Sequence, residues 1–363
     1  MTIQSYFSKT YSEARDKFLA ACTERNLSVE SLLNPNAKGA QGEVLYTDVV
    51  RIGPADAPKM LIISSATHGV EGYCGSGPQT GLLREGYFDN LPEDTAILII
   101  HAMNPYGFSH DRRVNEDNVD LNRNFMDFTT IPKTPGAYAG IHAYILPEDW
   151  DGEGKQAADS AMAAYIEQHG LTAFQAAASE GQYHFKDGIF YGGEGPVWSN
   201  EMFASVMAKY VSHAEKAAFL DFHTGLGPYG YGELIMDGTP EQKARARRWY
   251  GDQVTDPEAG TSTSAPLTGT LWHGTIDALP DTEVTFIVIE YGTYEITRVL
   301  EAVRGDNWLY EKGDVGSDLG ASIKQEIKDT FYPNKDDWKD MVWTRAVEVV
   351  GLAMKGLNHD GAS

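Results

Sequence analysis

Six short apolar runs punctuate the chain: GEVLYTDVVRIG, KMLIISSAT, TAILIIHAM, KAAFLDFH, GELIMDG and EVTFIVIEYG. Most do not alternate apolar with polar residues, as expected of strands buried on both faces. Between them lie stretches with helical spacing, PQTGLLREGYF, SAMAAYIEQHG, NEMFASVMAKYVSHAEK and PEQKARARRWY. An earlier helix is expected within an N-terminal helical segment of about residues 1–30, from the spacing of Phe7, Tyr11, Ala14, Phe18 and Cys22. The chain turns helical again after Glu290 and ends in DWKDMVWTRAVEVVGLAMKGL. Strands alternating with helices predict an α/β fold, a mixed, mostly parallel central sheet flanked by helices. Residues 125–155 are rich in Pro and Gly without a clear period and read as a long surface loop or lid, the start of an insertion reaching about residue 200. We read residues 1–363 as a single domain.

Composition narrows the partners. A net charge of −23 and a pI near 4.7 argue against nucleic acid or an anionic membrane surface, which require clustered Lys and Arg. The amino terminus lacks the apolar core of a signal peptide, and no stretch approaches the length of a membrane span. Two cysteines, Cys22 and Cys74, make neither a disulfide framework nor a cysteine-based zinc site. The expectation is a reduced, cytoplasmic protein whose oligomeric state is left open.

The chemistry collects after the strands. KMLIISSAT ends just before His68, which stands three residues from Glu71 in HGVE; KAAFLDFH ends at His223; EVTFIVIEYG delivers Glu290. Ligands of open α/β sheets bind beyond the carboxyl ends of the strands, where such residues converge. Imidazole with carboxylate is a normal zinc set, so His68, Glu71 and His223 would supply three ligands and leave Glu290 as a base. Taken singly, His68, Glu71 and His223 are equally readable as hydrogen-bonded polar residues. Glu290 at the end of an apolar strand is harder to dismiss, because an unpartnered carboxylate there is costly. A second cluster, NPYGFSHDRRVNEDNVDLNRNF, brings Arg112, Arg113, Asp120, Asn122 and Arg123 after another strand. Guanidinium groups bind carboxylates and stabilise oxyanions, although such a loop also suits local Asp–Arg pairing at the surface.

In their order along the chain, HGVE, NPYGF, DLNRNF, LDFH and FIVIEYG resemble the zinc carboxypeptidase family of metallopeptidases. Within it, they resemble an uncharacterised bacterial branch known only as a domain of unknown function, DUF2817. The resemblance spans roughly residues 45–295 and implies a zinc-carboxypeptidase-like fold and a hydrolase that cleaves an amide next to a free carboxylate. It implies one zinc on His68, Glu71 and His223, with a second, co-catalytic metal left open, and Glu290 as general base. It further implies that Asn122 and Arg123 hold the substrate carboxylate, that Asp120 orients His68, and that Arg112 or Arg113, with Arg113 favoured, polarises the carbonyl. The expected substrate is a peptide; the chain is also similar to the succinylglutamate desuccinylase and aspartoacylase group, which would make it an N-acyl amino acid. The tyrosine many family members carry before the base has no counterpart in TSTSAPLTGTLWHGTID, leaving Tyr191 or Tyr229 as substitutes.

Rival readings have weaker anchors. Gly225-Leu-Gly-Pro-Tyr-Gly230 matches a dinucleotide-binding fingerprint, but the following YGYGELIMDG predicts turn and strand where that motif needs a helix. A non-catalytic binding protein has no support, since every metal and base position holds a competent residue. Cys74 reads as a small packed thiol, His101 as a core histidine, and His142, His273, Glu180 and His184 as loop or surface groups.

Overall fold

The computed structural model of the chain describes residues 2–359. Its strands are β1 (Val29–Lys38), β2 (Val44–Ile52), β3 (Lys59–Ser65), β4 (Thr95–His101), β5 (Lys216–Gly225), β6 (Gly232–Ile235), β7 (Val254–Thr255) and β8 (Glu283–Gly292). They form one eight-stranded sheet in the order β1-β2-β4-β3-β5-β8-β6-β7. The middle of the sheet, β4-β3-β5-β8, is parallel, whereas β1, β2 and β6 each join a neighbour antiparallel. The mixed, mostly parallel sheet expected from the apolar runs is therefore present.

The helices are α1 (Tyr11–Glu24), α2 (Gly72–Arg84), α3 (Pro105–Ser109), α4 (His142–Ile145), α5 (Glu153–His169), α6 (Leu171–Ser179), α7 (Trp198–Tyr210), α8 (Pro240–Tyr250), α9 (Leu271–Ala278), α10 (Ile296–Glu311), α11 (Asp318–Phe331) and α12 (Asp336–His359). Successive strand residues face opposite sides, so the continuous apolar runs split between two layers. Ile63, Ile99, Leu220 and Ile287 pack with residues of α1, α2, α8 and α12, while Ile62, Leu98, Phe219 and Phe286 pack with α7 and α9. Among the described residues no helix is long and apolar enough to cross a membrane.

Two elements differ from expectation. Strand β1 was not foreseen, because VESLLNPNAK is half exposed and carries Pro35; it pairs with β2 at the sheet edge, where proline is tolerated. The stretch expected to be a plain loop contains short 3-10 turns and α4, and runs on into α5 and α6.

The topology locates a crevice. From β3 the chain passes through α2 to β4 on one side of it, then returns as β5 on the other. Such a reversal leaves the carboxyl ends of adjacent strands uncovered. Here those strands are β3 and β5, with β8 next to β5.

Candidate metal centre and cavity

The HGVE turn leaves the end of β3 and is held by the NPYGF–DRR segment. Gly69 N–H donates to the Arg113 carbonyl (3.1 Å) and Val70 N–H to the Arg112 carbonyl (2.8 Å). A side chain at Gly69 would put its Cβ 2.0 Å from the Gly107 carbonyl carbon, so only glycine lets the two loops meet. This approach sets His68 and Glu71, both buried, against the end of β5.

His68, Glu71 and His223 converge. His68 Nδ1 lies 2.9 Å from Glu71 Oε1 and 3.2 Å from His223 Nδ1, and His223 Nδ1 lies 3.1 Å from Glu71 Oε2. Among the described residues these three form the one group of His, Cys, Asp and Glu side chains able to hold a metal ion. Behind them stand further carboxylates. His223 Nε2 lies 2.6 Å from Asp221 Oδ2, and His68 Nε2 lies 3.2 Å from Asp120 Oδ1. Asp221 in turn accepts hydrogen bonds from Ser64 Oγ (2.6 Å) and Thr67 Oγ1 (3.0 Å). A carboxylate on the outer nitrogen of each imidazole is the usual way a ligating histidine is oriented.

Sequence reasoning did not assign Asp221 this place. The signal was present in LDFH: residues two apart in a strand share a face, so Asp221 stands behind His223.

The charges interlock. Burial alone would raise the Glu71 carboxyl, but the histidines at its two oxygens outweigh that and hold it well below the usual range. Burial would lower His223, yet Asp221 and Glu71 hold it well above an ordinary histidine. For Asp120, burial is likewise outweighed by Arg113, His68 and Arg123, and its carboxyl is held well down.

Glu290 sits opposite His223 in the β5–β8 register. Its Oε1 accepts the Leu226 N–H (2.9 Å), and its carboxylate faces the cavity. Burial, then the nearby Glu71, push its pKa up to about 7. Leu226 belongs to the glycine stretch after β5, where Gly225 (φ 142°), Gly227 (φ 101°) and Gly230 (φ 71°) make a turn and no helix opens. The helix that a dinucleotide fingerprint needs does not follow these glycines, and the Leu226 N–H is turned onto Glu290 instead.

The two adjacent arginines part company. Arg113 lines the cavity; its Nε donates to Asp120 Oδ2 (2.9 Å) and its Nη2 lies 2.6 Å from His68 Nε2. Arg112 does not join it. Its Nε donates to Asp306 Oδ2 (2.9 Å), its Nη2 to Asn118 Oδ1 (3.1 Å), and its guanidinium lies 3.7 Å over the Tyr310 ring. Arg112, left as an alternative at the reacting carbonyl, is not among the residues lining the cavity and is held in this buried ion pair.

Arg123 and Asn122 also line the cavity. Arg123 is buried and donates to main-chain carbonyls, those of Asn122 (2.7 Å) and Ser179 (2.6 Å), with no carboxylate paired to it among the described residues. Burial lowers its pKa from the ordinary value. Asn122 Oδ1 accepts the Leu271 N–H at the start of α9 (2.8 Å). Helix α6 closes the same side through Phe174, Gln175 and Ala178.

Among the described residues no tyrosine lines this cavity. Tyr191 is buried elsewhere, and the exposed Tyr229 bonds Asp337. Cys74 is buried, its thiol raised by burial and by Glu71 and Glu290; His101 is buried, stacks on Phe18 and bonds Ser76.

The family model described as "Protein of unknown function (DUF2817)" matches residues 7–345. No curated protein matches. Among solved structures the chain is similar to a carboxypeptidase A from Helicoverpa armigera, at 14% identity and TM-score 0.44, covering 88% of this chain and 73% of that one. It is similar to a murein-tripeptide amidase from Escherichia coli O157, at 14% identity and TM-score 0.38, covering 81% and 92%. It is also similar to an aspartoacylase family protein from Mesorhizobium loti, at 16% identity and TM-score 0.32, covering 73% and 61%.

Proposed function

The chain belongs to the DUF2817 family, and from that premise we propose that it is a zinc-dependent hydrolase that cleaves an amide bond next to a free carboxylate. The observation that carries this reading is the convergence of His68, Glu71 and His223, one ligand atom from each within 4.8 Å of the others, beside the Glu290 carboxylate.

These residues fit a zinc ion. Two imidazole nitrogens and a carboxylate are a donor set that zinc takes, and one atom from each lies within 4.8 Å of the others, near enough to share an ion. Both imidazoles have carboxylates on their outer nitrogens, Asp120 and Asp221. When bound, the metal supplies a Lewis acid for the carbonyl and lowers the pKa of a bound water towards about 7.

The chain's own groups do the rest. Glu290, which lines the cavity opposite His223, takes a proton from water and returns it to the departing amine. Arg123 uses three of its five N–H groups on main-chain carbonyls, which leaves two for a substrate carboxylate. A buried guanidinium with no paired carboxylate favours an anionic ligand. Asn122 stands beside it. Arg113 stabilises the oxyanion. A His68 holding the metal through Nδ1 would keep its proton on Nε2 and donate that N–H to Asp120, so the Arg113 Nη2 now at Nε2 would have to move away.

A peptide and an N-acyl amino acid both present such an amide, and a substrate panel separates them. The first test is elemental analysis of the chain purified without added metal, beside its His68→Ala variant. We expect about one zinc per chain in the parent and little in the variant. Absence of metal from both after zinc is supplied would overturn the reading.

A further inference from the structure

Glu233 is a buried carboxylate that this mechanism does not use. It lies in β6 directly opposite Glu290 of β8, so the two side chains leave the same face of the sheet. Glu233 is 3% exposed and does not line the cavity, whereas Glu290 does. Among the described residues its partners are two hydroxyls and one main-chain N–H: Thr255 Oγ1 (2.5 Å), Thr263 N (3.1 Å) and Thr263 Oγ1. A buried anion without a cation is costly unless such bonds offset it, and bonds to a charged acceptor are about twice as strong as neutral ones.

Those bonds hold a loop. Thr255 ends β7, and Thr263 belongs to residues 256–270, which connect β7 to α9. Pro257, Ser264, Ala265, Leu267 and Thr270 of this connection line the cavity. Its two ends are fixed elsewhere. Lys243 bonds Asp256 (2.9 Å) and Glu258 (2.6 Å), and the Phe125 N–H donates to the Gly269 carbonyl (3.0 Å). Between those ends, the hydrogen bonds from residues 262–268 to another element are the ones from Thr263 to Glu233; Ser264 bonds within the loop. None of residues 261–268 is buried, so packing does little to hold them. The Thr263 methyl lies 3.8 Å from where a Cβ on Gly227 would stand, against the turn whose Leu226 N–H donates to Glu290. One carboxylate thus fixes this wall of the cavity at the level of the reacting centre.

We infer that Glu233 is a positioning residue: it pins the Thr263 loop as a wall on which substrate binds, without touching the reacting atoms. This rests on the hydrolase reading above. The test compares the zinc-loaded parent with Glu233→Gln, which keeps the size but turns one accepting oxygen into a donor, and with the milder Thr263→Val. We expect hydrogen exchange of peptides covering residues 257–267 to quicken at least about tenfold in Glu233→Gln and by less in Thr263→Val. Peptides from β3, β5 and α12 keep the parent rate. With benzoylglycyl-leucine and N-acetylleucine, KM rises about tenfold in Glu233→Gln while kcat stays within about threefold. Thr263→Val added to Glu233→Gln changes neither further. A loop that exchanges at the parent rate, or a kcat that falls as far as kcat/KM, overturns the proposal. A parent that cleaves neither compound ends the hydrolase reading instead, and calorimetric dissociation constants then take the place of KM. Affinity undiminished in Glu233→Gln, or no binding by the parent, overturns the role of Glu233.

Discussion

Two buried charge clusters lie side by side in this molecule and are built on opposite terms. In one, Arg112 and Lys324 flank Asp306, with Nε–Oδ2 and Nζ–Oδ1 distances of 2.9 and 2.5 Å. Lys324 also donates to the Asp111 carbonyl (2.8 Å), and Arg112 to Asn118. Burial would lower Arg112, but Asp306 outweighs it and raises it. The protein itself satisfies this network. The other cluster holds His68, Glu71, His223, Asp120, Asp221 and Glu290 with Arg113 at its side, and in it the two Glu71 oxygens meet the Nδ1 atoms of His68 and His223. Its Glu290 is pushed up to about 7 by burial and Glu71. The first network is closed on the protein's own groups, whereas the second opens onto the cavity that His68, Glu71, Arg113, His223 and Glu290 line. The backbone makes the division between consecutive residues, with Arg112 facing one cluster and Arg113 the other.

Substitutions sharpen that contrast. Glu290→Gln removes a proton acceptor from the open cluster and should lower kcat about 10²- to 10⁴-fold while zinc content stays near one, measured by steady-state kinetics and elemental analysis. A kcat close to the parent value would take the base role from Glu290. Arg112→Met breaks the closed cluster and strands Asp306 with Lys324 alone. It should cost about 3 kcal/mol or more in urea unfolding and leave zinc binding intact. Arg113→Met should behave the other way, with a smaller stability loss than Arg112→Met and a kcat lower by about 10²-fold in the zinc-loaded protein. Matching stability and activity profiles for the two variants would erase the distinction drawn here.

The smallest contrast concerns a single buried group in neither cluster. Burial lowers His101 to about 4 from 6.5. Between those values the unfolded chain takes a proton that the folded chain refuses, so stability is full above about pH 6.5 and falls as pH drops towards 4. The loss is roughly 3 kcal/mol from this group, and His101→Phe should remove it. Urea midpoints at pH 7.5 and 4.5 measure the difference; an unchanged acid sensitivity in the variant would assign it to other groups.

Much of this was legible along the chain. Buried parallel strands are apolar throughout, so β3, β4, β5 and β8 announced themselves, and the residues ending β3, β5 and β8 marked the rim. Less legible were features set by partners distant in sequence. Strand β1 is polar and half exposed, and becomes a strand through its pairing with β2. Asp221 could be read from the sequence only as a carboxylate near the site; its place behind His223 also depends on Ser64 and Thr67. The choice between Arg112 and Arg113 could not be read locally, because it depends on Asp306, some 190 residues downstream.

The sequence by itself determined the strand order of the chemistry, the residue types able to hold a metal and the turn after β5, since periodicity, donor atoms and glycine are local properties. The tertiary structure alone decided which arginine faces the cavity and which carboxylates stand behind the histidines. These depend on sheet register and on burial, which bring side chains from separate strands to one face and determine which charges are left without a partner.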